Sequence, residues 1–397
     1  MIWFSTRMPS SLAPNRLAQA LVRARREGRR LLDLTESNPT RAGFEYPPDL
    51  LAPLADPRGL RYEPQPFGLA SARAAVAAEY ARRGVTIAPD RIALTASTSE
   101  AYSLLFKLLA DPGDEILVPR PSYPLFEHLT RLDALVPRPY DLDLHGGWAV
   151  DVAGIERALS PRTRAVLLVS PNNPTGSYVK PGELEALARL GAASGVALVV
   201  DEVFADYELL PGARASAARV LDRPDALVFA LGGLSKAVGL PQVKLGWIAV
   251  SGPDAIVASA LERLELACDT YLSVATPVQA AAAELLERGA AIRARIQARI
   301  AANHEYLVTR AVATPSCRVL TAEGGWYAVV QVPRLQSEEE LVLDLLERAD
   351  VVVHPGYFFD FPSEAFLIVS LLPPPAVFGT AVEHILRHFD RTAGPHE

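Results

Sequence analysis

The sequence predicts an α/β protein in which a mostly parallel sheet is covered by helices on both faces and is followed by a smaller α+β domain. Between residues 91 and 250, short runs of continuously apolar residues alternate with segments that have the apolar spacing of helices. Strands that are apolar along their whole length are typical of parallel sheets enclosed by helices. After Val250 the pattern changes to long Ala-rich helices and then to shorter alternating elements.

The apolar runs place six strands in the first of these units. They cover residues 91–95, 115–118, 165–169, 196–200, 226–231 and 245–250. Helices are expected over residues 72–82, 100–109 and 184–190, where apolar side chains recur at helical spacing. In the second unit, long helices are expected over 255–267 and 277–307, followed by alternating strands and helices over 325–332, 338–349, 351–353, 365–371 and 377–389.

The length of the chain also bears on its domain organisation. A chain of 397 residues, half of them hydrophobic, can bury a large core but exceeds one domain of ordinary size. We expect an N-terminal arm that belongs partly to the small domain over residues 1–45, a large domain over 46–275, and a small C-terminal α+β domain over 276–397.

Composition argues against several classes of function. A net charge of −7 disfavours nucleic-acid binding, and the five arginines between residues 23 and 30 fit the solvated face of a helix. Two distant cysteines, Cys268 and Cys317, predict neither a metal site nor a disulfide framework. Because no signal peptide and no apolar run of membrane-spanning length is found, we expect a cytoplasmic protein without a membrane partner.

Polar segments follow five of the predicted strands, at the edge where open α/β sheets bind ligands. Ser97, Thr98 and Ser99 come after strand 91–95 and begin a helix, whose free N–H groups suit a phosphate. Helix capping alone is the alternative interpretation. Tyr123 lies between two prolines after strand 115–118, which would aim its ring at a flat ligand, although an ordinary core tyrosine is the alternative.

The other three segments add an amide, a carboxylate and an amine. The loop SPNNPTG, residues 170–176, is tight and polar and contains Asn173. Asp201 ends an apolar strand, where a carboxylate needs a cation such as a protonated pyridine, or serves as a cap. Lys236 also follows a strand and could act as an amine nucleophile, whereas an isolated lysine would be a surface charge. Together the segments describe a site for pyridoxal 5′-phosphate, a flat, phosphorylated, nitrogen-containing aldehyde.

These motifs occur in the same order as in the class I/II aminotransferases, which belong to the aspartate-aminotransferase-like superfamily of pyridoxal-phosphate fold type I. The sequence therefore resembles that family. The matches run from LTESNP, residues 34–39, to Pro355-Gly356, and PNNPTG, Asp201-Glu202 and Ser235-Lys236 are the most specific. The resemblance implies a sheet of the seven-stranded type in a large cofactor-binding domain. It also implies transfer of an amino group between an amino donor, expected to be an amino acid, and a keto acid.

The resemblance further implies a role for each matching residue. Lys236 would form the Schiff base and carry protons, and Asp201 would keep the cofactor's ring nitrogen protonated. Asn173 would donate to the cofactor's O3′, and Tyr123 would stack on its ring. In a homodimer with shared active sites, the phosphate would be held by Ser97, Thr98, Ser99, Ser235, Lys244 and Tyr62, the last from the neighbouring subunit.

Three positions depart from the family pattern. Phe204 stands where the family has a tyrosine, and Lys244 stands where it has a phosphate-binding arginine. Ile368 occupies the position of the arginine that binds the substrate carboxylate, and no arginine lies in residues 366–372. Either another residue holds the carboxylate or the substrate is not a standard α-amino acid. The candidate substrate-binding residues are Asn38, Arg41 and Arg120, with Arg41 favoured over Arg120.

Two other functions stay open at this level. A pyridoxal-phosphate lyase that cleaves a carbon–sulfur or related bond could use the same fold, because fold and cofactor alone do not determine the reaction. A cofactor-binding regulatory module is disfavoured, since the sequence keeps the lysine and carries no attached DNA-binding segment.

Overall fold

The computed structural model describes residues 3–393. In that part of the chain the strands are β1 (Leu32–Asp33), β2 (Ile92–Thr95), β3 (Glu115–Arg120), β4 (Val136–Leu144), β5 (Trp148–Val150), β6 (Thr163–Val169), β7 (Ala197–Asp201), β8 (Val228–Gly233), β9 (Gly246–Ser251), β10 (Arg318–Val319), β11 (Tyr327–Gln331), β12 (Val351–Val352), β13 (His354–Pro355) and β14 (Phe366–Ser370). The helices are α1 (Arg16–Arg26), α2 (Ala70–Arg82), α3 (Thr98–Leu109), α4 (Leu125–Leu132), α5 (Val152–Ala158), α6 (Pro181–Ser194), α7 (Leu234–Ala237), α8 (Asp254–Tyr271), α9 (Thr276–Ala311), α10 (Glu338–Ala349) and α11 (Pro375–Ala393).

The large sheet has the strand order β2-β9-β8-β7-β6-β3-β4-β5. Strands β8, β7, β6, β3 and β4 run parallel, whereas β9 is antiparallel to both of its neighbours. The first seven strands of this order form the expected sheet, and β5 extends it as the antiparallel partner of β4. The predicted fold class, a mostly parallel sheet of the seven-stranded type, is therefore confirmed.

Helices cover both faces of this sheet, as the fully apolar strands require. Alternate residues of β6 belong to two separate hydrophobic clusters, with Val166 and Leu168 in one and Leu167 in the other. The first cluster includes Leu187 of α6, and the second includes Leu264 of α8. Because successive strand residues point to opposite faces, this division shows that each face is buried under its own helices.

The prediction of six strands missed β4 and β5 at one margin of the large sheet. Most of the nine residues of β4 are exposed or only partly buried, and two of them, Pro137 and Pro139, do not suit a central strand. A strand at this margin has no need of a continuous apolar run, so its sequence lacks the pattern that identified the other strands.

The C-terminal part contains a second sheet with the order β10-β11-β14-β13, which is antiparallel throughout. β1 pairs in parallel with β12, so residues 32–33 join the chain's N-terminal part to its C-terminal part. The division into an N-terminal arm over residues 1–45, a large domain over 46–275 and a small domain over 276–397 stays a prediction.

Two further properties concern the described residues only. No helix within residues 3–393 has the length and apolar character needed to cross a membrane. In the same range, no group of three or more His, Cys, Asp and Glu side chains is arranged to hold a metal ion.

Candidate active site

A cavity of about 250 Å³ opens at the carboxyl ends of β6, β7 and β8, beside the beginning of α3. This is the edge at which an open α/β sheet binds ligands. The structure brings nine of the predicted residues together around it. They are Ser97, Thr98, Ser99, Tyr123, Asn173, Asp201, Ser235, Lys236 and Lys244.

The beginning of α3 forms the hydroxyl-rich wall of the cavity. The Ser97 hydroxyl accepts a hydrogen bond from the Glu100 backbone N–H at 3.2 Å, so this serine does cap the helix, while Thr98 and Ser99 supply two more hydroxyls. A Cβ at Gly246 would lie 2.9 Å from the Ser97 carbonyl carbon and 3.1 Å from the Thr98 backbone nitrogen. Glycine at this position therefore lets β9 approach the helix end closely.

Lys236 lies in the short helix α7, which directly follows β8. Burial lowers the pKa of its amine, and the nearby Asp201 carboxylate opposes that shift. The ammonium nitrogen lies 5.5 Å from the centre of the Trp326 ring, and the backbone carbonyl of Lys236 accepts a hydrogen bond from the Tyr207 hydroxyl at 2.5 Å. A lysine whose neutral form is favoured by burial is suited to act as an amine nucleophile.

Asp201 is the last residue of β7 and is buried, with 8% of its surface exposed. The Tyr102 hydroxyl donates to one of its oxygens at 3.0 Å, and the Val203 backbone N–H donates to the other at 3.0 Å. Burial nonetheless raises the pKa of this carboxyl to about 6. A buried carboxylate of this kind favours a cationic partner, and a protonated ring nitrogen would be one.

The side chains of the two asparagines in the 170–176 loop differ in their hydrogen bonding. The Asn172 amide donates to the Pro121 carbonyl at 3.1 Å and to the Thr175 hydroxyl at 2.9 Å, and thereby holds the loop. The side-chain oxygen of Asn173 is buried and has no hydrogen-bond partner among the described residues. Because a buried polar atom without a partner is costly, Asn173 has the property of a ligand-binding group.

Aromatic side chains form much of the remaining wall. Tyr123 keeps 38% of its surface exposed, and its ring meets that of Phe126 edge to face at 5.8 Å. Several residues that line the cavity were not predicted from the sequence, among them Ser37, Tyr102, Phe126, Trp326 and Tyr327. Tyr102 could have been found, because it lies four residues after Thr98 and so on the same face of α3.

Four predicted residues do not line this cavity. Tyr62 is 74% exposed and borders a separate depression near Tyr271. Asn38 accepts hydrogen bonds from the Thr40 backbone and hydroxyl. Asn38 is not among the described residues that line the cavity.

The two candidate arginines are held in ion pairs outside the cavity lining. Arg41 is largely exposed and lies 3.3 Å from a carboxylate oxygen of Glu36, the neighbour of the cavity residue Ser37. Arg120 binds both carboxylate oxygens of Asp141, at 2.7 and 3.0 Å. Its guanidinium fork is thus already occupied, whereas Arg41 is bound less completely.

The positions that depart from the family pattern have distinct surroundings. Phe204 lines the cavity and packs edge to face on Trp326 with ring centres 5.3 Å apart. Lys244 also lines the cavity, in a left-handed conformation with φ of 61°. Ile368 is fully buried and pairs with Val329 of β11, and it is not among the described residues that line the cavity.

Taken together, these groups fit pyridoxal 5′-phosphate. The cavity combines a lysine amine of lowered pKa, a buried carboxylate, an amide oxygen without a partner and a helix end rich in hydroxyl groups. Each has a counterpart on that molecule, namely the aldehyde, the ring nitrogen, the ring hydroxyl and the phosphate.

Known proteins of similar sequence and structure are aminotransferases. The chain is 29% identical over 385 residues to an alanine aminotransferase of Mycobacterium tuberculosis, covering 92% of this chain and 87% of that protein. It is 27% identical over 364 residues to a glutamate-pyruvate aminotransferase of Haemophilus influenzae, covering 88% of each. Among solved structures, an alanine aminotransferase from Pyrococcus furiosus is similar over 98% of this chain and 100% of its own, with a TM-score of 0.86 and 25% identity.

The family model for aminotransferase class I and II matches residues 31–385, which is most of the chain. The matched region includes every residue described above as lining the cavity. The chain therefore belongs to the class I and II aminotransferases.

Proposed function

We propose that this pyridoxal-phosphate-dependent aminotransferase moves an amino group between an amino acid and a keto acid, with Lys236 as the central residue of the reaction. The observation that carries the proposal is the shared enclosure of Lys236, Asp201 and Asn173 in one cavity. The relatives named above are aminotransferases, so the lyase alternative is not favoured.

Pyridoxal phosphate, when bound, supplies an electron sink that stabilises negative charge at the carbon bearing the amino group. Lys236 would hold the cofactor covalently through its amine and carry a proton to and from that carbon. Asp201 would face the ring nitrogen and keep it protonated, in agreement with its buried carboxylate. Asn173 would bind the ring hydroxyl, and Tyr123 would cover the ring face.

The phosphate would be held by the hydroxyl groups of Ser97, Thr98, Ser99 and Ser235 and by the amine of Lys244. A helix N-terminus adds its free backbone N–H groups to such a site. Lysine retains the positive charge of the family's arginine but contributes a point charge without a planar fork.

We further propose a cytoplasmic homodimer in which Tyr62 reaches the phosphate site of the partner subunit. The high exposure of Tyr62 in a single chain supports an intersubunit role. The two cysteines are free thiols, which suits a reducing compartment.

Arg41 is our candidate for the substrate carboxylate, because its neighbour Glu36 precedes the cavity residue Ser37. We expect Arg41→Ala to raise KM for the amino acid at least about tenfold, the scale of one charge-assisted hydrogen bond. Arg120→Ala is the matched control and should leave KM unchanged, because that guanidinium is held by Asp141. Unchanged KM values in both variants would exclude both arginines.

The products distinguish aminotransferase from lyase activity. The purified holoenzyme should convert more than one equivalent of alanine or glutamate, the amino acids named for its relatives, only when a keto acid is present. Chromatography should then show one new amino acid for each keto acid consumed. Steady release of ammonia from these amino acids, or of a thiol from a sulfur-containing amino acid, without any keto acid would support the lyase instead.

A further inference from the structure

A tyrosine hydroxyl holds the carboxylate that faces the cofactor site. The Tyr102 hydroxyl donates to Asp201 at 3.0 Å, and in the described part of the chain no other side chain forms a hydrogen bond with this carboxylate. Both residues are buried, with 2% of Tyr102 and 8% of Asp201 exposed. Hydrogen bonds to a charged group are strong when water is excluded, so this contact has a large influence on the carboxylate.

Neighbouring rings fix the position of the Tyr102 hydroxyl. Phe126 meets the Tyr102 ring edge to face at 5.4 Å, and Phe106, one turn further along α3, lies at 6.0 Å. The Tyr102 hydroxyl therefore has little freedom to leave Asp201. Tyr102 also follows Thr98 by one helical turn, so a single helix provides both the hydroxyl-rich wall and the contact to Asp201.

The electrostatic surroundings of Asp201 explain why this contact matters. Burial raises the pKa of the Asp201 carboxyl, and the hydrogen bonds from the Val203 backbone N–H and from the Tyr102 hydroxyl act in the opposite direction by favouring the ionised form. The ionisable groups whose charges interact with Asp201 are Lys236 and Glu202 beside it, together with the hydroxyl groups of Tyr80, Tyr102 and Tyr123.

We propose that Tyr102 is a positioning residue that fixes the Asp201 carboxylate in the ionised state and orientation required by the cofactor's ring nitrogen. This inference rests on the proposed role of Asp201. Tyr102 acts through the carboxylate, so its hydroxyl contributes to cofactor binding only when the ring carries a nitrogen for Asp201 to contact.

The test compares two ligands, pyridoxal phosphate and its 1-deaza analogue, in which carbon replaces the ring nitrogen. Dissociation constants are measured by fluorescence titration of the cofactor-free full-length protein. Tyr102→Phe should weaken the binding of pyridoxal phosphate about tenfold, the scale of one hydrogen bond to a charged group, and should leave binding of the analogue unchanged. A purely structural role would weaken the binding of both ligands equally.

Tyr140→Phe is the matched control. Tyr140 is also buried, but its hydroxyl donates to the Leu167 carbonyl at 2.7 Å and it does not line the cavity. Its removal should change neither dissociation constant. Equal effects of Tyr102→Phe on both ligands, or no effect on either, would overturn the proposal.

Asp201→Asn separates this inference from the proposed function. If Asp201 faces the ring nitrogen, Asp201→Asn weakens the binding of pyridoxal phosphate but not that of the 1-deaza analogue. Adding Tyr102→Phe to that variant should then cause little further loss of affinity. If Asp201→Asn changes the binding of both ligands equally, the role of Asp201 itself is refuted. If Asp201→Asn weakens only the binding of pyridoxal phosphate while Tyr102→Phe weakens the binding of both ligands equally, only the role of Tyr102 is refuted.

Discussion

Burial of the ionised Asp201 carboxylate makes the folded protein less stable at neutral pH. Its pKa in the folded chain is about 6, above the usual 3.8, because burial penalises the charged carboxylate. The folded state therefore binds this proton more tightly than the unfolded state. The stability that this group contributes is fully present below about pH 4 and is lost as pH rises to about 6.

Asp201→Asn should therefore stabilise the cofactor-free protein at pH 7.5, by up to about 3 kcal/mol for a pKa shift of this size. The gain should largely disappear near pH 4, where the carboxyl of the folded wild-type protein is protonated. Thermal unfolding of the two cofactor-free proteins at both pH values measures the difference. A variant that is no more stable than wild type at pH 7.5 would contradict this explanation.

At the same scale, the sequence predicted the ligand-binding groups better than it predicted the residues that orient them. Asp201, Asn173 and Lys236 end or follow predicted strands, and that position alone brings them to one edge of the sheet. The contact between Tyr102 and Asp201 joins residues that are 99 positions apart and depends on the direction of one side chain. Periodicity indicates the helix face but not the partner of the hydroxyl.

Among the elements, α9 stabilises the region behind Lys236 through a buried network of charges. Arg293 of α9 lies 2.6 Å from Glu79 and 3.6 Å from Asp206, and it also donates to the Ala237 backbone carbonyl in α7. Arg82 of α2 pairs with the same two carboxylates. The network thus connects two long helices with the short helix that carries the reactive lysine.

Arg293→Ala should destabilise the protein by about 3 kcal/mol, because removing one cation leaves buried carboxylates incompletely paired. The matched control on the same helix is Arg288→Ala, which removes solvent-exposed contacts with Asp49 and Glu284 and should cost about 1 kcal/mol or less. Urea unfolding of both variants provides the comparison. Equal losses would show that the network does not stabilise the fold.

The accuracy of the element prediction followed from burial. Strands enclosed on both faces, such as β6 and β7, have continuous apolar runs and were recognised within two residues. β4 lies at the sheet margin and exposes much of its length, so it carried no comparable signal. The order of the strands in the sheet could not be predicted from the sequence either. The position of antiparallel β9 between β2 and β8 depends on contacts between residues that are distant in the chain.

For the whole molecule, the central expectation is that each active site is assembled from two chains. Tyr62 lies outside the cavity of its own chain and is widely exposed. Its proposed contact with the partner's phosphate site would explain why a residue remote from the cavity matches the family pattern. A symmetric dimer would form two such sites with the same pair of surfaces.

Mixed dimers test this assembly. Lys236→Ala should be inactive, and Tyr62→Ala should bind the cofactor weakly and lose activity when the cofactor is limiting. After subunit exchange, a mixed dimer has one site with Lys236 from one chain and Tyr62 from the other, so activity should reappear. Failure to recover activity, despite mixed dimers detected by native mass spectrometry, would contradict a shared site.

The lysine that holds the cofactor covalently can be identified directly. The chain has four lysines, Lys107, Lys180, Lys236 and Lys244, so borohydride reduction of the holoenzyme followed by peptide mass spectrometry can assign the attachment unambiguously. We predict modification of Lys236, and its disappearance when the holoenzyme is first incubated with an amino acid that donates its amino group. Modification of any of the other three lysines, or none at all, would contradict the central role of Lys236.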